Sequence, residues 1–332
     1  MRFLNKQVPP RHPHPRSQQG ITLIELMIAL VIGLLATGAM LKVYVDGSRL
    51  YRFNEGLARI QENGRFATEF IRRDARMAGF WGCNHEAPWT NLIRPSTDYP
   101  RYESSGIDGT DGSGSNDPDR ITFWVAWRSV GTLKKTMAQS KHNLIVDSTE
   151  TIERKDALLI CDYGMTDIFF VTSASNPAHR RKLKHQNTKN TSKKLSKAYA
   201  AGSKLYRVQQ TIFCIVESAE NPLQYSLGRL VNRGTPESGE NCEDNGDELV
   251  EGVENMQILY GEDTDADSDG ANGDGTANRY VPIGTASLYI DRVVSVRLSL
   301  LARSLNNNLT TTPSPYTFNG TTVTPVDQYL RK

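Results

Sequence analysis

Hydrophobic positions fall into three regimes along the chain. From Ile21 to Val45 they run nearly unbroken, with Glu25 and Lys42 as the only formal charges and no ionisable group from Leu26 to Leu41. From Leu50 they recur at spacings of three and four (Leu50, Phe53, Leu57, Ile60, Gly64, Ala67, Ile71), the stripe of an amphipathic helix, supported by the i,i+4 pairs Glu55–Arg59 and Glu69–Arg73. Past residue 120 they come as short runs rich in Val, Ile, Phe, Tyr and Trp: Ile121–Trp127, Leu144–Val146, Ala157–Cys161, Ile168–Thr172, Tyr206–Val216, Tyr225–Val231, Asn255–Tyr260 and Val293–Leu301. The pattern predicts one helix from Ile21 to about Met77, stopped by Ala78-Gly79, then a β-rich domain. This is an α+β fold, with sheets laid against the helix's amphipathic half. Four segments follow: a polar N-terminus (1–20), an apolar helix half (21–45), an amphipathic helix half (46–78) and a β-rich domain (79–332).

Twenty-five helical residues span roughly 37 Å, enough to cross a hydrocarbon core of about 30 Å. Glu25 is the anomaly, because a carboxylate in a membrane core costs about 2.5–3.5 kcal/mol. It either snorkels to the interface or needs a positive partner from another chain. Arg2, Lys6, Arg11 and Arg16 precede the span without an acid, and Pro9, Pro10, Pro13 and Pro15 prevent helix there. Those charges are balanced by Lys42, Arg49, Arg52 and Arg59, so charge does not set orientation. An ordinary secretory signal ending near Ala36-Thr37-Gly38-Ala39 would contain Glu25 in its apolar core and leave an apolar tail, which argues against it.

Composition narrows the reading modestly. With 38% hydrophobic and 8% aromatic residues the chain can build a real core. The net charge of +2 includes the four N-terminal cations, so without them it is −2, and no general polyanion-binding character follows from it. Cys83, Cys161, Cys214 and Cys242 show no C-x-x-C spacing, which argues against zinc. An even count suits two disulfides in an oxidising compartment. Three connectivities are open; Cys83–Cys161 with Cys214–Cys242 is carried forward.

The opening stretch, Gly20-Ile21-Thr22-Leu23-Ile24-Glu25, resembles the class III leader of type IV prepilins and pseudopilins. The resemblance implies cleavage between Gly20 and Ile21 by a prepilin peptidase, N-methylation of Ile21, and pairing of Glu25 with the N-terminal amine of a neighbouring subunit. Ile21 stands where major pilins usually have Phe, which favours a minor subunit. The blocks Gln61-Glu62-Asn63-Gly64-Arg65, Met77-Ala78-Gly79-Phe80-Trp81-Gly82-Cys83, 253–261 and 294–301 are similar to the PilW-type minor pilins. That likeness implies a single-pass inner-membrane protein with its C-terminal domain extracytoplasmic, later in the pilus at the cell surface. Its partners would be the major pilin and other minor pilins, in a complex that primes or caps the filament. A type II secretion pseudopilin is the near alternative.

Two segments stand outside this reading. Asp265, Asp267, Asp269 and Gly270 match the first half of an EF-hand-like calcium loop, but Thr276 replaces the closing glutamate. A solvated acidic loop is the plainer reading, and a calcium-binding surface adhesin with a pilin leader is the alternative of another class. Residues 179–204 hold nine Arg or Lys and no acid; with only Tyr199 as an aromatic, nucleic acid is not the expected partner, and an exposed, mobile loop is expected. Residues 104–120, rich in Gly, Ser and Asp, read as a flexible loop. No nucleophile, metal-protease or phosphate-loop motif occurs, and His85, His142, His179 and His185 are scattered, so no catalysis and no other cofactor is expected.

Overall fold

The computed structural model describes residues 20–83, 88–94, 105–112, 117–175, 181–218, 221, 223–232, 241–267 and 272–332. The chain divides into two units, Met1–Arg52 and Phe53–Lys332.

In the first unit the described residues open the helix α1 (Leu23–Ala75). Every residue from Gly20 to Gly47 is exposed. This is the one described helix long and apolar enough to cross a membrane. The helix starts two residues later than its apolar run, for a reason given below.

The second unit begins within α1, whose buried residues Gly56, Ile60, Ala67 and Ile71 keep one face. Gly56 is needed for contact: a Cβ there would lie 2.6 Å from Leu309 Cδ1. Gly79 ends the turn at φ +74°, where an added Cβ would meet the Ser105 carbonyl oxygen at 2.7 Å, so the expected stop is sterically enforced. The chain then forms β1 (Trp89–Asn91), β2 (Ile107–Thr110), β3 (Arg120–Leu133), β4 (Leu144–Asp147), β5 (Ala157–Asp162), β6 (Met165–Phe170), β7 (Ser173–Ser175) and β8 (Arg181–Lys184). There follow β9 (Lys204–Glu217), β10 (Tyr225–Asn232), the short helix α2 (Cys242–Asn245), β11 (Asp247–Glu251), β12 (Val253–Glu262), β13 (Arg279–Val281), β14 (Val293–Ala302), β15 (Tyr316–Phe318) and β16 (Thr321–Val323).

The large sheet runs β1-β6-β5-β9-β3-β4-β8-β7, with β2 on β3, β10 on β9 and β11 on β10. Its spine is the antiparallel pair β3–β9, both 14 residues long. Register shifts at Ala126/Arg128 and Ser129/Gly131 bend that pair, so its two ends serve different cores. One end packs Ile121, Phe123, Phe213 and Ile215 with Ala67 and Ile71 of α1 and with Met256, Ile258 and Tyr260 of a second sheet, β13-β12-β14. Buried Asp119 ties the two sheets together: its N–H donates to Met256 O at 2.8 Å, and its carboxylate accepts from Ile258 N at 2.7 Å. The other end packs Leu144, Leu158, Phe169, Leu183, Leu195 and Tyr199. Disulfides join Cys83 to Cys161 and Cys214 to Cys242.

Two segments expected to be loops are partly ordered into the sheet; residues 104 and 113–116 of the first lie outside the described residues. Within 104–120, Ile107–Thr110 is a strand paired with Phe123–Arg120 of β3, and Ile107 is buried. The basic segment starts with β8 and continues as a strap that β6 holds down. Asn190 is buried; its side chain accepts from Phe170 N at 2.8 Å and donates to Phe170 O at 3.0 Å, completing the backbone pairing of β6. Asp167, also buried, accepts from Ser196 N at 2.9 Å, Ser196 Oγ at 2.6 Å and Tyr199 Oη at 2.9 Å. Leu183, His185, Leu195 and Tyr199 face the core while Lys182, Lys193 and Lys194 face water. His179 and Arg180 lie outside the described residues.

Candidate functional site

The start of α1 is organised by a reciprocal cap. Thr22 precedes the first helical residue, and its Oγ1 accepts from Glu25 N at 3.4 Å. In return the Glu25 carboxylate oxygen Oε2 accepts from Thr22 N at 3.0 Å and Thr22 Oγ1 at 2.9 Å. This is a Thr-x-x-Glu capping box, which satisfies N–H groups that a helix start leaves without partners. It also accounts for the helix beginning at Leu23. The sequence spacing contained this cap; reading Glu25 for its charge alone missed it.

Both bonds fall on one oxygen. Among the described residues Glu25 Oε1 accepts no hydrogen bond and Glu25 makes no ion pair. Gly20 and Ile21 are exposed immediately before it, with Ile21 at 76%. The local chemistry is thus a carboxylate anchored by one oxygen at the positive end of a helix, with its other oxygen open to a donor from outside.

The acidic loop places its carboxylates differently from the expected pattern. Asp263, Asp265 and Asp274 bring ligand oxygens within 4.8 Å of one another. Asp267 does not join them; its carboxylate accepts from Asn272 Nδ2 at 2.6 Å. Asp269 lies outside the described residues. Asp263 accepts the N–H groups of Asp265 and Gly275, at 3.1 and 2.8 Å, which folds the loop around it. Of the histidines, His142 and His185 are described; His185 is buried and its Nε2 faces the His142 carbonyl at 2.9 Å. Burial holds its imidazole below the ordinary range, which favours the neutral form. Burial raises the Asp167 carboxyl, partly offset by the bonds from Ser196 and Tyr199.

An apolar N-terminal helix with an exposed Gly-Ile junction and a capped glutamate, carried into a disulfide-bonded β-rich unit, has the organisation of a pilin. Residues 15–41 match the prokaryotic N-terminal methylation motif. Residues 212–332, from within β9 to Lys332, match the type IV pilus-assembly protein W family. The two matches support a type IV pilus-related pilin, a structural rather than enzymatic protein. No curated protein and no solved structure matches the chain significantly.

Proposed function

We propose that this chain is a minor pilin that takes part in type IV pilus assembly. A prepilin peptidase cuts after Gly20 and methylates Ile21, and the apolar helix holds the protein in the inner membrane with its β-rich domain extracytoplasmic. Other minor pilins and the major pilin are its partners, in a complex that primes or tips the filament. The observation that carries this reading is Glu25: anchored to Thr22 through Oε2 and without a cation partner among the described residues, it presents Oε1 to a neighbour. A paired charge is far cheaper than a lone one in lipid, so a neighbour's N-terminal amine at Glu25 makes assembly and burial mutually dependent.

The cap supplies a discriminating test. Glu25→Gln keeps an acceptor for Thr22 and loses the charge, whereas Glu25→Ala loses both. Both variants are expected to be processed yet to fall by about tenfold or more in pilus incorporation, as a lost charge pair of about 1.4 kcal/mol or more requires. Normal assembly of the Gln variant would refute the charge role. Mass spectrometry of the mature N-terminus is expected to find methylated Ile21; a start near Met40 would indicate an ordinary signal peptide.

The protein W match favours a pilus over a type II secretion pseudopilin, since the leader alone is common to both. A calcium role for the acidic loop would fall to Asp263, Asp265 and Asp274. Calorimetry of the protein with millimolar calcium addresses it, and an absence of heat removes it.

A further inference from the structure

The second sheet ends on β14, and among the described residues the far side of that strand has no strand beside it. Its orientation follows from β12. Met256 O and Ile258 N bond to Asp119, so those residues face away from β14, whereas Asn255, Gln257 and Leu259 face it opposite Leu301, Ser299 and Arg297. Alternation then turns the N–H and C=O groups of Val294, Val296, Leu298 and Leu300 outward. None of them has a backbone partner among the described residues. The same line is already used one step further on. Ala302 exchanges both backbone bonds with Lys332 at 2.9 Å, and Ser304 N donates to Leu330 O at 2.8 Å.

Open edges of this kind are normally short or blunted by charge, proline or a bulge. The strands β1, β7 and β13 at other edges have three residues each, whereas β14 has ten, no proline and one charge, Arg297. Beside it lies a cleft of about 660 Å³ lined by Ile71, Ala75 and Ala78 on one side and Val293–Leu298 on the other. Its lining holds no carboxylate; of its charged residues Arg72 is already paired with Glu69 at 2.6 Å, which leaves two arginines, Arg76 and Arg297.

We infer that the outer edge of β14 receives an extended strand from a partner protein, one that alternates apolar residues with a carboxylate placed to meet these arginines. Backbone bonding to Val294–Leu300 would give affinity, and the arginines would select the partner. A second copy of β14 is disfavoured, because antiparallel self-pairing about the strand's middle would set Arg297 against Arg297. The inference rests on the minor-pilin reading only in taking the partner to be another filament subunit.

Hydrogen–deuterium exchange on the full chain in detergent micelles tests it. The probes are two ten-residue peptides of alternating valine and threonine, one with a central glutamate and one with a central lysine. The amides of Val294, Val296, Leu298 and Leu300 are expected to exchange rapidly alone and to slow by about tenfold or more with the glutamate peptide only. Val296→Pro and Leu298→Pro delete outward N–H groups that β12 does not use, so the fold is expected to survive and the protection to be lost. If those variants unfold, Arg297→Glu decides instead, with an expected switch to the lysine peptide. Protection in the chain alone, protection that depends on chain concentration, equal protection by both peptides, or none would each overturn the inference. Because chain and probe are isolated, that failure leaves the assembly reading standing, and normal assembly by Glu25→Gln leaves this edge standing.

Discussion

The two halves of α1 are built from one continuous helix and obey opposite rules. Between Gly20 and Gly47 nearly every apolar side chain is exposed, and the one carboxylate of the first turn has a spare oxygen. Between Gly56 and Ile71 four residues are buried, and the charges on the other face pair with one another, Glu55 with Arg59 and Glu69 with Arg72. The first half is unsatisfied alone and stable only in a solvent or assembly that covers it. The second half is satisfied by its own chain. Stability measured on the isolated protein therefore reports on the second, and, on the function proposed above, incorporation into a filament reports on the first.

That contrast can be broken at several points. The largest stability effect is expected from replacing Cys83 and Cys161 with Ala. Their bond closes a 78-residue separation, and its loss should cost about 4 kcal/mol in denaturant unfolding while leaving the first half of α1 helical. Next, Ile71→Ala should destabilise by about 3 kcal/mol, since Ile71 is 2% exposed. Leu30→Ala, at a position 57% exposed, should leave the same unfolding curve unchanged. Equal effects at the two positions would erase the distinction. A smaller effect should appear with pH. Burial favours the neutral form of His185, so the unfolded chain takes up its proton first. Its contribution is therefore complete above the ordinary histidine pKa of about 6.5 and fades as pH falls below it. His185→Gln should flatten the melting temperature across that range.

Most of the architecture was legible because the signals were strong and local. Each β-rich run expected from residues 121–301 overlaps an observed strand, and the stripe Ile60, Ala67, Ile71 is the buried face of α1. What escaped was structure whose composition disguises it. In the strap, lysines outnumber the anchors Leu183, His185, Asn190, Leu195 and Tyr199, so no period shows, and the pinning groups Asp167 and Phe170 lie elsewhere in the chain. The strand β2 (Ile-Asp-Gly-Thr) has one apolar residue, and β3 defines it rather than its own propensity. Among the described residues the carboxylates that meet in the acidic loop are Asp263, Asp265 and Asp274, because Asp263 after β12 and Asp274 across the turn converge on Asp265.

The pinned strap also bears on proteolysis. Lys182, Lys184, Lys189, Lys193, Lys194 and Lys197 sit in 16 residues, an unusual density of trypsin sites on a surface. A protease must draw about ten residues into an extended form, and here that means releasing Asn190 from β6 and Ser196 and Tyr199 from Asp167 together. Cleavage should therefore wait for opening of the core around Phe169 and Leu183. Scission between Lys182 and Lys197 would report the folded fraction of the β-rich unit without any added label, even in whole cells.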